Sequence, residues 1–211
     1  MKNLLFALLM TAATLAQADT YDDLMRAAQL GDVGTVTALL KKGVDPDTTD
    51  AEGNTLLMLA AREGHEALVD LLLAQKPKVN ARNSAGDTAL RLAAFAGRVE
   101  MVKKLVVAGA RINTPGWTAN LYAAYNGHVE VVRYLVQMGA DINAGSENGS
   151  TALMLAARHG NVELVKLLLT NKADPNKATD QGATALDWAR RGNHEEVVKL
   201  LLAAGAKAGT P

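Results

Sequence analysis

The sequence predicts an all-α solenoid of about six helix–turn–helix repeats with short projecting hairpin fingers. Three observations predict it. One phrase recurs: Gly53-Asn54-Thr55-Leu56-Leu57-Met58-Leu59-Ala60-Ala61-Arg62-Glu63-Gly64 returns as Gly86-Asp87-Thr88-Ala89-Leu90-Arg91-Leu92-Ala93-Ala94-Phe95-Ala96-Gly97, and again from Gly116, Gly149 and Gly182. The Gly-to-Gly steps are 33, 30, 33 and 33 residues, and a fixed period of this size marks a repeat architecture. The columns also hold in register. Counting from each Thr (Asp22 in the first copy), position +5 is Ala27, Ala60, Ala93, Ala123, Ala156 and Ala189. Position +14 is Val36, Val69, Val102, Val132, Val165 and Val198, and +17 is Leu39, Leu72, Leu105, Leu135, Leu168 and Leu201. Finally, these Val and Leu residues fall at helical spacing, an apolar face that one repeat cannot bury alone and stacking can.

Within a repeat each element has a cause. Thr55, Thr88, Thr118, Thr151 and Thr184 supply a side-chain oxygen to the free N–H groups of the first helix, and Asp22 supplies one likewise. Small Ala residues let neighbouring first helices approach. Gly31, Gly64, Gly97, Gly127 and Gly160 at +9 end that helix where a left-handed residue is needed. Asn193 takes this position in the last copy and is the next most tolerant residue. The +10 column then starts the second helix. It holds His65, His128 and His194, which are read as structural. At the end of the second helix, Lys76 and Lys172 stand where other copies have Gly43, Gly109, Gly139 and Gly205. A Lys with positive φ is uncommon, so these two ends are expected to be shaped differently.

The motif Gly-x-Thr-x-Leu-x-x-Ala-Ala-x-x-Gly at this period resembles the ankyrin repeat, over about residues 20–207. The resemblance implies a concave groove lined by fingers and first helices, and a role in binding other proteins. One departure from the family lies at +3, where the usual His network is replaced by Met58, Arg91, Leu121, Met154 and Asp187.

Taken in order, residues 1–18 read as a secretory signal peptide. Lys2 starts it, Leu4-Leu5-Phe6-Ala7-Leu8-Leu9-Met10 forms its apolar core, and Ala16-Gln17-Ala18 fits cleavage between Ala18 and Asp19. The run is short for a membrane span, so no stable membrane insertion is expected after cleavage. The chain thus resembles exported bacterial ankyrin-repeat proteins, and the periplasm, or the medium, is the expected location. The rest, 19–211, is one repeat domain with repeats near 20–49, 50–82, 83–113, 114–145, 146–178 and 179–207. Arg26 at an otherwise apolar +4 column and Arg190 at an Ala column read as polar end caps. The link into repeat 4 is short: Asn113-Thr114-Pro115-Gly116 cannot form a full finger. Asn120 beneath it stands in the Leu column of Leu24, Leu57, Leu90, Leu153 and Leu186. It is expected either to bond a backbone group or to lie partly exposed.

The chemistry excluded is extensive. There is no Cys, hence no disulfide, thiolate metal site or Cys nucleophile. The formal net charge is zero, which argues against nucleic acid. His65-Glu66 and His194-Glu195 begin a zinc-protease motif, but Val69 and Val198 occupy the second His positions. The acidic run Asp45, Asp47, Asp50 and Glu52 lacks calcium-loop spacing and reads as a solvated finger. No catalytic residues, metal or cofactor are assigned.

A binding face is assigned. Groove positions are expected to include Arg62, Asp87, Phe95, Trp117, Tyr125, Asn126, Arg158 and His159. Aromatics make up 4% of the chain, yet Phe95, Trp117 and Tyr125 fall on one side of adjacent repeats, in columns where Asn54, Ser150, Arg62 and Arg158 are expected to be wet. Aromatics flanked by Arg are typical interface anchors. The chain is therefore read as a non-catalytic, monomeric module that binds a periplasmic protein, in a protective or chaperone-like role toward an enzyme. An immunity protein that blocks a toxin is the alternative in the same class. A groove enzyme or small-ligand binder using Tyr125, Arg158 and His159 is the alternative in another, and it requires a closed pocket around His159. A mere spacer would bury the three aromatics within the stack.

Overall fold

The computed structural model describes residues 20–209. The signal-peptide reading of residues 1–18 lies outside them. The chain divides into two compact units, Met1–Ala89 and Leu90–Pro211. Among the described residues all regular structure is helical apart from isolated β-bridges.

The first unit carries α1 (20–30), α2 (Val33–Lys41), α3 (Leu56–Glu63) and α4 (Glu66–Ala74). Thr55 Oγ1 caps α3 by accepting from Met58 N at 3.2 Å, and Asp32 caps α2 by accepting from Thr35 N at 3.0 Å. The Ala and Leu columns of these helices are buried. Arg26 is exposed, in keeping with its polar substitution. The acidic run folds as a finger, with its carboxylates spent on turn geometry. Asp50 accepts from Asn54 N at 2.7 Å and Asn54 Nδ2 at 2.9 Å, and Asp47 accepts from Lys78 N at 2.8 Å. No group of three or more potential metal ligands occurs among the described residues.

The second unit carries α5 (Ala89–Phe95, whose first residue closes the first unit), α6 (Val99–Val107), α7 (Ala119–Tyr125), α8 (Val129–Gln137), α9 (Ala152–Arg158), α10 (Val162–Thr170), α11 (Ala185–Arg191) and α12 (Glu195–Ala203). First helices stack on first helices, α7 on α9 and α9 on α11; second helices do likewise, α6 on α8, α8 on α10 and α10 on α12. Val102, Val132 and Val165 are buried, whereas Val198 is half-buried.

Two devices tie repeat to repeat. In the loops, Asn113 Oδ1 accepts from Asp141 N, Asn143 Oδ1 from Asp174 N, and Asn176 Oδ1 from Lys207 N, each at 2.8 Å. At the helix links, the +10 His bonds back to the +7 carbonyl of the preceding repeat. His128 Nε2 meets Phe95 O at 2.9 Å, and His194 Nε2 meets Arg158 O at 3.0 Å. The first unit repeats this with His65 Nε2 and Gln29 O at 2.8 Å. A carbonyl oxygen only accepts, so Nε2 carries the proton in each. Where the column is Asn161, the side chain caps its own helix through Leu164 N. The ring position explains the +9 Gly beyond its φ: a Cβ on Gly97 would lie 2.6 Å from the His128 ring, and one on Gly160 2.5 Å from that of His194.

The Lys172 helix end is shaped like its Gly counterparts, and the Lys76 end differs from them by one closing bond. Lys76 has φ 55° and Lys172 φ 66°, the same left-handed turn as Gly43, Gly109, Gly139 and Gly205. At Lys172 the closing hydrogen bonds, Lys172 N to Leu169 O and Ala173 N to Leu168 O, both 3.0 Å, hold the backbone against the side chain's preference. At Lys76 only the first kind forms, Lys76 N to Leu73 O at 3.0 Å, because Pro77 has no N–H for the second.

The shortened link is held from within. Arg91, buried at +3 of α5, donates from Nη2 to Thr114 Oγ1 at 2.9 Å and to Pro115 O at 2.8 Å. A guanidinium thus spans the place of the absent finger, and Glu147 of the next finger lies against Gly116. Neither expectation for Asn120 holds. It is only 2% exposed, and its Oδ1 has no hydrogen-bond partner among the described residues. Among the described residues no backbone donor reaches the amide oxygen.

Candidate protein-binding face

The assigned aromatics come together in the second unit, and they form a chain of rings. Phe95, the last residue of α5, meets Tyr122 edge-on with centroids 5.7 Å apart. Tyr122 lies 5.3 Å from Trp117 in a tilted stack. Trp117 meets Tyr125 edge-on at 5.9 Å, and Tyr125 meets His159 edge-on at 5.3 Å. Edge-to-face packing brings the positive rim of one ring to the negative face of the next and holds each ring in place. Tyr122, at the +4 column where Leu59, Leu92 and Leu155 stand in other copies, is therefore a member of the strip. The signal that would have found it is its neighbour at +7 of the preceding repeat, Phe95.

The strip is ordered yet open. Phe95 is 46% and Tyr125 41% exposed, Trp117 is half-buried, and Asn126 and His159 are exposed. Asn126 donates from Nδ2 to Phe95 O at 2.8 Å, sharing that carbonyl with His128 and fixing the edge of the strip. These exposures count against the spacer reading, which needs the aromatics buried. His159 lines neither the cleft beside Trp188 nor the one beside His194.

Part of the comparison behind Trp117 is corrected. Its sister positions are not wet: Asn54 is 7% and Ser150 2% exposed. Asn54 is pinned by Asp50 on one side and accepts from Asn83 Nδ2 at 2.7 Å on the other. A full finger folds over this position, and the short link before Trp117 leaves it partly open. The +7 column does stay accessible, with Arg62 half-exposed and Arg158 exposed.

The remaining assigned residues are Arg62, Asp87 and Arg158. Arg62, in the first unit, pairs with its neighbour Glu63 through Nε at 2.9 Å. Asp87, also in that unit, is half-buried and donates its backbone N–H to Asn83 Oδ1 at 2.8 Å. Arg158, at the end of α9, lies over the Trp188 ring at 5.6 Å from its centroid. Beside it the sequence reading missed a cleft of about 600 Å³ bounded by Arg158, Trp188, Arg191 and the finger residues Asn148 and Asp180. No helix among the described residues is long and apolar enough to cross a membrane.

A family model described as ankyrin repeats (3 copies) matches residues 24–115 and 121–210. Among solved structures, the human ASB11 ankyrin repeat domain is 27% identical with a TM-score of 0.81, over 87% of this chain and 84% of that one. A chain from a complex of the predatory endopeptidase Bd0816 of Bdellovibrio bacteriovorus with the immunity protein Bd3460 is 30% identical with a TM-score of 0.78. That match covers 86% of this chain and 97% of that one. No curated protein matches.

Proposed function

We propose, from the premise that the chain belongs to the ankyrin-repeat family, that it is an exported interaction module. It grips one partner protein, an enzyme of the periplasm, on the ring strip of Phe95, Trp117 and Tyr125. Ankyrin repeats are protein–protein interaction modules in general. The observation that carries the finer reading is the strip itself. Ordered aromatic surface, held by its own edge contacts and still open to solvent, binds with little side-chain entropy left to lose. Export rests on the leader-like residues 1–18.

Two roles for the grip remain in the same class, protection of the enzyme and blockade of it. The match to a chain from an endopeptidase–immunity protein complex favours blockade, with this chain guarding its own cell against a lytic enzyme.

The test is a paired capture from periplasmic extract. One bait is the exported chain and the other a variant carrying Phe95→Ala, Trp117→Ala and Tyr125→Ala, with the fold of both checked by circular dichroism. An enzyme held by the first and lost by the folded variant is the expected result. Equal retention by both refutes the strip as the site. Activity of the captured enzyme with and without added chain separates the roles: a fall means blockade, and a longer active lifetime means protection.

A further inference from the structure

We propose that the cleft beside the ring strip is a carboxylate-binding subsite that receives an acidic side chain, Asp or Glu, from a loop of the partner protein. The inference rests on the reading of this face as the partner's docking surface, and it adds the chemistry of a second contact.

The cleft encloses about 600 Å³ between the last turn of α9, the inner face of α11 and two neighbouring fingers. Two cationic residues line it, Arg158 and Arg191, against one anionic residue, Asp180. Arg158 stacks over Trp188 and makes no ion pair among the described residues. A guanidinium lying on an aromatic face keeps its in-plane N–H groups free, and those groups match a carboxylate as a fork. The backbone beneath it is fixed, because Arg158 O receives the His194 ring N–H. Arg191 feels the Asp187 carboxylate, but that group is already engaged. Asp187 Oδ2 accepts from Thr184 N, Thr184 Oγ1 and Gly209 N, each at 2.8 Å. The fingers that wall the cleft are joined by Asp180 N to Asn148 O at 3.1 Å, so the wall is preformed. Asp180 on that wall disfavours a second negative charge at the rim, which selects a single carboxylate over a phosphate or a run of acids.

The chain has two Trp residues, one in each proposed contact, so two indole N–H signals report on the two contacts separately. The experiment titrates the full chain, nitrogen-15 labelled and expressed with its leader in place, and follows both signals by NMR. The probe is an acetylated, amidated Gly-Ser-Glu-Ser-Gly peptide, with its Gln-for-Glu counterpart and sodium acetate as the other arms. Trp117→Phe assigns the signals. The expected result is a saturable shift of the Trp188 signal by the Glu peptide, at an apparent Kd on the order of 1 mM for one charged contact, and at least about tenfold weaker binding of the Gln peptide. The shift disappears in an Arg158→Gln, Arg191→Gln variant whose spectrum is otherwise folded. Equal response to both peptides, persistence in the variant, or an unmoved Trp188 signal overturns the proposal, and matching of the Glu peptide by acetate overturns the assignment to a partner side chain. An unmoved Trp188 signal alongside capture that still depends on Phe95, Trp117 and Tyr125 removes the subsite and leaves the docking face standing. A Trp188 response with capture indifferent to the three aromatics does the reverse.

Discussion

The link between the +9 Gly and the next repeat's +10 His can be tested at Gly97 and His128. Gly97 has φ 69°, a left-handed conformation that costs a residue with a Cβ about 1–2 kcal/mol. The structure adds a second cost. A Cβ at position 97 would lie 2.6 Å from the His128 ring, so the ring must turn away and give up its hydrogen bond to Phe95 O. That bond is worth about 0.5–1.5 kcal/mol. Gly97→Ala should therefore destabilise the chain by about 1.5–3.5 kcal/mol. His128→Ala removes the obstacle, and in that background Gly97→Ala should cost only the backbone share of about 1–2 kcal/mol. The assay is a double-mutant cycle on urea unfolding followed by circular dichroism, with the slopes of the four proteins compared. A coupling of about 1 kcal/mol is expected between the two positions. Equal cost of Gly97→Ala in both backgrounds would show that the ring is not what selects Gly here, and that the column is explained by φ alone.

Three further substitutions address the departures from the repeat. Asn120→Leu restores the column residue and removes a buried amide oxygen without a partner, so it should stabilise by about 1–3 kcal/mol, read as a higher urea midpoint; a lower one would mean that the amide is needed for the fold. Arg91→Met removes the donors to Thr114 and Pro115 and should cost about 2–4 kcal/mol, with faster amide exchange of the 113–116 link. Asp187 bears on acid stability. Burial opposes ionisation of its carboxyl, but the bonds from Thr184 and Gly209 and the charge of Arg191 outweigh it and hold the group below its ordinary value. A lowered folded pKa means stability that is present above the unfolded value, about 3.9, and lost as pH falls through the folded one. The chain should accordingly lose more stability than Asp187→Asn on acidification from about pH 5 to pH 2, compared by urea unfolding at each pH.

The fold was legible because six copies report the same rule. A Val that is ambiguous once becomes a core position when its column repeats, and the structure buries Val36, Val69, Val102, Val132 and Val165. What was not legible depends on a single event. The short link removes one finger, and only three dimensions show that Arg91 fills its place or that Asn120 is sealed in. The Lys172 end shows the opposite: the side-chain preference of one residue yields to closing hydrogen bonds that the repeated geometry supplies, whereas at Lys76 Pro77 removes one of those bonds and the left-handed φ persists.

The face itself follows one geometric relation that the columns already contained. At two steps of the second unit the +7 residue of one repeat meets the +4 residue of the next. Between repeats 3 and 4 this gives Phe95 and Tyr122, two rings edge to face. Between repeats 5 and 6 it gives Arg158 and Trp188, a cation over a ring. The same backbone thus presents an apolar anchor at one step and a charged one two steps on, with Tyr125 and His159 between them. Two Cα positions fix each pair, and only side-chain identity changes. A partner that reads both must offer an apolar patch and a carboxylate at the spacing of two repeat steps. That demand on spacing, more than the area of either contact, is what would let an open repeat surface select one partner protein among many.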